Sequence, residues 1–288
     1  MVNESAYRRQ GSEPLIRLSG VAKAWEGATA LESVELDVAA GEFVCLCGPS
    51  GCGKTTVLNL VAGLESPTQG EVRVRGERVV GPGPDRTVMF QESALFPWLT
   101  VRQNVEFPLE VAGVPAGERA ERAEKYIRKV MLWRYRDRHP HELSGGMRQR
   151  VAMARALVVE PAILLMDEPF AALDAMTRDE LHRELEELWM GSGKTVLFVT
   201  HNVREAARLG DRVVVMGTRP GRVKRVLPVE LPRPRRANDR DVSLIAAMVE
   251  RELRIEIEKV IREELDDAWT PARADLPRDP GAHLGGGI

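Results

Sequence analysis

Gly48-Pro49-Ser50-Gly51-Cys52-Gly53-Lys54-Thr55 decides how the rest of this chain reads. It fits G-x-x-x-x-G-K-[ST] at every fixed position. The glycines let successive backbone N–H groups wrap phosphates, and the helix that follows adds partial positive charge at its N-terminus. On that mechanism Lys54 reaches the β- and γ-phosphates and the Thr55 hydroxyl ligates Mg2+. Upstream, Phe43–Cys47 is apolar throughout, the mark of a strand buried on both faces of a parallel sheet. Downstream, Val57, Leu58, Leu60 and Val61 mark a helix. A glycine-rich turn that only resembles the pattern is the alternative, and the flanking strand and helix count against it.

Outward from this turn the chain alternates strands and helices. Val34–Val38 alternates apolar and polar residues like a half-buried strand, and Gly41 turns the chain into Glu42–Cys47. Ala162–Met166 and Val196–Val199 are further continuous apolar runs. Leu181, Leu185, Leu188 and Trp189 form a helical stripe, with Thr177 and Glu180 in capping-box spacing and Gly191 as its end. This order predicts an α/β fold with a mainly parallel sheet. Residues from about 100 to 155 lack strands and read as a helical insertion, with Tyr126, Ile127, Val130 and Met131 grouped apolar. Leu227–Arg236 (LPVELPRPRR) reads as a linker without regular structure. Ser243–Leu265 follows as an amphipathic helix, and the Pro- and Gly-rich Trp269–Ile288 as a loose tail. That helix can pack on the rest of its own chain, pair across a dimer or bind a partner.

Composition narrows the function. A chain of 288 residues that is 43% hydrophobic and 29% charged buries a real core. Its net charge of −2 leaves no excess of cations to displace the counterions of a nucleic acid. Three cysteines confined to 45–52 make no disulfide framework and suit a reducing compartment. Cys45 and Cys47 read as core filler. Cys52, inside the turn, is a candidate for oxidation that blocks nucleotide binding. No apolar run approaches a membrane span, and the opening MVNESAYRRQGSEP lacks a signal peptide's apolar stretch. The expectation is a soluble, cytoplasmic protein.

Further residues carry chemistry at strand ends. Asp167 and Glu168 close the run from Ile163, and ligands of parallel sheets bind at carboxyl ends of strands. Alone they read equally as helix-capping acids, which Pro169 permits. Beside a phosphate loop, Asp167 becomes the residue that holds Mg2+, directly or through water, and Glu168 the base that polarises water. His201 ends another buried strand and brings an imidazole to the same layer. Leu143-Ser144-Gly145-Gly146-Met147-Arg148-Gln149-Arg150 opens a helix and offers a second anion device. Either the chain binds two anions, or two copies sandwich a nucleotide. His139 and His141 read as surface residues.

Taken together, the chain resembles the ATP-binding subunit of an ATP-binding cassette (ABC) transporter over about residues 15–235. The resemblance rests on Gly48–Thr55, Gln91, Leu143–Arg150, Asp167–Glu168, Ala171-Ala172-Leu173-Asp174 and His201, in the family's order. It implies a P-loop NTPase fold with a parallel core, an antiparallel N-terminal β subdomain and a helical signature subdomain. It also implies a cassette at 15–236 and an extension at 237–288. By resemblance, ATP is held by Gly48 to Thr55 with Thr56, by Trp25 stacking on adenine, by Ser144, Gly145 and Gly146 of a second copy, and by Asp174. Mg2+ falls to Thr55, Gln91 and Asp167. Catalysis falls to Glu168, His201, Gln91 and Lys54. Trp25 read alone equally suits a core position, and Gln91 alone a surface glutamine.

Met147 stands where the family's signature usually has glutamine. With Leu95–Val101 (LFPWLTV), Phe170–Thr177 and Val229–Arg236, this resembles the nitrate/sulfonate/taurine importer branch. The implied function is ATP-driven uptake of a small anion, with a second cassette and permease subunits as partners and a solute-binding protein further out. The place implied is the cytoplasmic face of the membrane. A clamp on nucleic acid or the ribosome is the competing class, disfavoured by a single cassette, no long heptad array and near-neutral charge. An exporter or lipid-transport ATPase stays open, since the subunit does not touch cargo.

Overall fold

The computed structural model describes residues 13–268, with side chains to 262. The expectations for the first twelve residues and for Trp269–Ile288 lie outside the described residues. The chain begins with β1 (Ile16–Trp25) and β2 (Ala28–Val38), followed by β3 (Phe43–Cys47), α1 (Lys54–Ala62), β4 (Gln69–Val74), β5 (Glu77–Arg78) and β6 (Arg86–Met89). Three helices come next, α2 (Val101–Val111), α3 (Ala116–Lys129) and α4 (Gly145–Leu157). Then come β7 (Ile163–Asp167), α5 (Ala175–Trp189), β8 (Thr195–Thr200), α6 (Val203–Leu209), β9 (Arg212–Gly217), β10 (Arg222–Pro228) and α7 (Arg240–Ala268).

Two sheets organise these elements. One is antiparallel, in the order β2-β1-β4-β5; the other has the order β10-β9-β3-β8-β7-β6. In the second, every pairing is parallel except β10 with β9. All five side chains of β3 are buried, and they divide by the period of two that a strand imposes. Val44 and Leu46 join α1 and the apolar face of the antiparallel sheet in one core. Phe43, Cys45 and Cys47 join α2, α3, α4 and α5 in the other. The sheet is therefore covered on both sides, which is why its strands read as continuous apolar runs.

The structure corrects several local expectations. Asp174, three residues before Thr177, caps α5, its carboxylate accepting from the Met176 and Thr177 N–H groups at 3.1 Å. Met131 leaves the apolar group of α3; its φ is +58° and its side chain is exposed. Leu227 and Pro228 belong to β10. The rest of that Pro- and Arg-rich stretch forms no strand or helix, yet it is firmly held. The Arg235 guanidinium is buried and donates to the carbonyls of Val229, Leu231, Ala207, Arg208 and Gly210, satisfying the free C-terminal carbonyls of α6. Along α7, Val242, Ala246, Val249 and Leu253 are buried, whereas Leu244, Met248, Ile257 and Ile261 are exposed. Only part of the predicted apolar stripe thus packs on the cassette. Among the described residues no helix is long and apolar enough to cross a membrane.

Candidate nucleotide site

The register of the parallel sheet builds the site. Cys47 pairs with Thr200, and Asp167 with Val199, so the loop after β3, the acids at the end of β7 and His201 after β8 leave the sheet at one edge. Gly51 and Gly53 adopt φ of +77° and +87°, a left-handed backbone that costs little only for glycine. Gly53 caps α1 in this conformation, tight against Leu31 and the Ala30 carbonyl of β2. Lys54 is buried, and its ammonium donates to the carbonyls of Gly48 at 2.8 Å and Pro49 at 3.0 Å. Pro49, Ser50 and Thr56 lie on the same turn and the start of α1.

Cys52 faces inward, fully buried, with Sγ 3.8 Å from the Lys54 ammonium. Burial pushes its thiol pKa up against the opposing pull of Lys54. A thiol kept protonated and covered is a poor nucleophile, so the structure argues against Cys52 as a ready oxidation target. Cys45, Cys47 and Cys52 are all free and buried.

The Thr55 hydroxyl donates to Asp167 Oδ1 at 3.2 Å. Burial raises the Asp167 carboxyl above its ordinary value, the Thr55 hydrogen bond opposing and the Glu168 charge reinforcing the shift. A divalent cation beside these two oxygens would reverse that bias. Hydroxyl and carboxylate are the hard donors that Mg2+ takes, the remaining positions going to phosphates and water. Among the described residues no group of three or more His, Cys, Asp or Glu could hold a metal ion. A glycine-rich loop running into the N-terminus of α1 fits the nucleotide's phosphates.

Glu168 has φ of +44°, a left-handed conformation uncommon for a residue with a side chain. Its N–H is held by the Val199 carbonyl at 2.9 Å. From that backbone its carboxylate meets His201, with Nδ1 to Oε2 at 2.8 Å. The imidazole is mostly exposed, its side chain 61% accessible. A carboxylate beside an oriented imidazole at a water-accessible edge can accept a proton from water.

Other predicted site residues sit apart. Ser144 caps α4, its Oγ accepting from the Met147 N–H at 3.3 Å, and Gly146 lies against Thr177 of α5. Among the described residues no hydrogen bond joins Ser144–Gly146 to the Gly48–Thr55 loop. Gln91 is exposed just beyond β6, where Met89 pairs with Met166, so it leaves the sheet beside the acids. Trp25 ends β1 opposite Ala28, 43% exposed, with the Lys23 ammonium 5.0 Å above its ring. Asp174 is occupied as a helix cap, which holds its carboxyl below the usual range through the Thr177 N–H and hydroxyl.

Three buried polar residues to which the sequence reading gives no role of their own touch this edge. Gln149 of α4 donates to the Pro169 carbonyl, next to Glu168. His182 of α5 and Glu205 of α6 form a buried pair at 2.8 Å. They are scattered polar residues on helices, and only the fold brings them together.

Comparison with known proteins agrees with this geometry. Residues 31–171 match the family model described as ABC transporter. The chain is 48% identical to the nitrate import ATP-binding protein NrtD of Synechocystis over 203 residues, 70% of this chain and 76% of that one. It is 51% identical to the taurine import ATP-binding protein TauB of Mesorhizobium japonicum over 198 residues, 69% of this chain and 77% of that one. Among solved structures it resembles the dimeric post-hydrolysis state of the ATP-binding cassette MJ0796 bound to ADP and Pi. The TM-score there is 0.67 at 35% identity, covering 75% of this chain and 100% of that one. This chain belongs to the ABC transporter family and is an ATP-hydrolysing protein.

Proposed function

We propose that this chain is the ATPase subunit of an importer for a small anion such as nitrate, a sulfonate or taurine. The observation that carries the reading is the near-half identity to nitrate and taurine import ATP-binding proteins over most of both chains. The cassette would span 15–236, with 237–288 as its extension. It would work as a dimer with itself or a related cassette, on the cytoplasmic face of the membrane. Permease subunits would dock near Gln91, and a solute-binding protein would deliver cargo.

In the proposed mechanism the Gly48–Thr55 amides and Lys54 bind the phosphates of ATP, and Trp25 stacks on its base. Thr55, Asp167 and Gln91 hold Mg2+, which when bound supplies a positive charge that offsets the charge developing on the phosphates. Ser144, Gly145 and Gly146 of the second copy cover the nucleotide, whose burial draws the two copies together. Asp174 lies at that junction. Glu168 takes the proton of the attacking water and His201 holds Glu168 and the water in line. Positioning and fixed charge do most of the work. The test is a deletion strain. It should lose uptake of labelled nitrate or taurine and regain it with the wild-type chain but not with Glu168→Gln. Unchanged uptake of nitrate, sulfonates and taurine overturns the reading.

A further inference from the structure

His201 is exposed, so little packing aims its ring; its orientation comes from the backbone on either side. Those flanks are tied to each other. The Asn202 N–H donates to Thr200 Oγ1 at 2.9 Å, and the Thr200 hydroxyl donates to Glu205 Oε2. The Asn202 side chain accepts from the Arg204 and Glu205 N–H groups at 3.0 and 3.3 Å. Glu205 Oε1 then lies 2.8 Å from Nε2 of His182 on α5. His182 also reaches the other arm of the pair. Its ring stands edge-on to Phe170, with centroids 5.3 Å apart, two residues beyond Glu168.

Thr200, Glu205 and His182 are buried, none more than 6% exposed. Burial works to raise the Glu205 carboxyl, but the hydrogen bonds from His182 and Thr200 and the charges of His182 and Arg178 outweigh it and hold it low. Apolar residues of similar volume would often be as stable in such a place. What a satisfied polar network adds is a single arrangement, because each bond strengthens in the low dielectric and depends on the others.

We propose that Thr200, Glu205 and His182 are positioning residues for ATP hydrolysis. They hold the His201 loop against Glu168 and tie that pair to α5, the helix capped by Asp174. They touch neither nucleotide nor water. The inference rests on the proposed roles of Glu168 and His201. Its consequence is that a displacement at the start of α5 reaches the Glu168–His201 pair through the first two turns or so of that helix, from Ala175 to His182, and misplacement of the pair by about 1 Å can cost about a hundredfold in rate.

The test uses the full-length chain, with steady-state kcat and KM for ATP and single-turnover rates for slow variants. Thr200→Val keeps the shape and removes the hydroxyl; Thr200→Ser keeps the hydroxyl. The Val variant should lose about tenfold or more in kcat with KM within about twofold, while the Ser variant stays within about twofold of wild type. Glu205→Gln should follow the Val variant, which keeps the idea testable should Thr200→Val fail to fold. On a His201→Ala background the Glu205→Gln loss should shrink to less than about twofold, because the group it positions is gone. Wild-type kcat in Thr200→Val and Glu205→Gln, or an undiminished Glu205→Gln loss without His201, overturns the inference. A wild-type rate in His201→Ala would instead overturn the role of His201 itself.

Discussion

Replacing Gly48 by alanine tests how tightly the phosphate loop is built. A Cβ at Gly48 would stand 2.5 Å from Cys52 Sγ, 3.0 Å from Met216 Cβ and 3.1 Å from the Met216 carbonyl oxygen. The sulfur blocks one side and β9 the other, so the methyl has no free direction. Overpacking of this kind costs about 1–3 kcal/mol; about 2 kcal/mol lowers the melting temperature of a chain this long by about 3 °C. Cys52→Ala removes the closest obstacle and alone costs about 1 kcal/mol for the lost buried sulfur. The double variant then keeps only the Met216 contacts and should cost about 1–2 kcal/mol, well below the sum. The coupling, at least about 1 kcal/mol, is read from urea unfolding of the four proteins without nucleotide. Additivity within about 0.5 kcal/mol would show that the loop moves aside freely and would refute the reasoning.

Glu168→Gln should cut ATP turnover by at least about a hundredfold while nucleotide affinity stays within about threefold, and it should shift the chain toward dimer on sizing columns with ATP. Lys54→Ala should instead weaken binding itself, by about ten- to a hundredfold in Kd from the loss of a charged hydrogen bond, as titration calorimetry reads. Glu184, under the signature helix with Arg150 Nη1 2.6 Å from its Oε1, is pushed by burial to about 7 from an ordinary 4.5, despite Arg150. The folded chain therefore binds a proton between those values that the unfolded chain lacks, and stability falls as pH rises through that window. Glu184→Gln should remove about 2 kcal/mol of that decline in unfolding measured from pH 5 to pH 8; an unchanged slope would place the titration elsewhere. Mild peroxide at pH 7 should leave Cys52 unmodified by mass spectrometry and ATPase activity intact.

The phosphate loop, the acid pair and His201 were legible because their signals are local, namely glycine spacing and polar residues at the ends of apolar strands. β1 escaped because its pairing with β2 shifts between Leu18 and Val21 and between Val21 and Lys23, which breaks the alternation a reader looks for. The start of α5 was misplaced because Asp174 and Thr177 are both good caps, and only the fold decides between them. Arg235 falls in a stretch that reads only as a linker, since nothing near it in sequence announces the carbonyls at the end of α6. The contacts of Gln149, His182 and Glu205 were invisible for the same reason, their partners lying 20 and 23 residues away. On α7 the apolar residues occupy two faces, and sequence alone could not say which face meets the protein.

With the role proposed for Glu168, its left-handed backbone sets stability and activity against each other at one residue. Glycine would occupy that conformation with less strain, yet it brings no carboxylate. Selection for a sturdier protein and selection for a working one therefore pull this position in opposite directions. A library sorted only for thermal tolerance should drift toward glycine at 168 and lose its turnover as it does so.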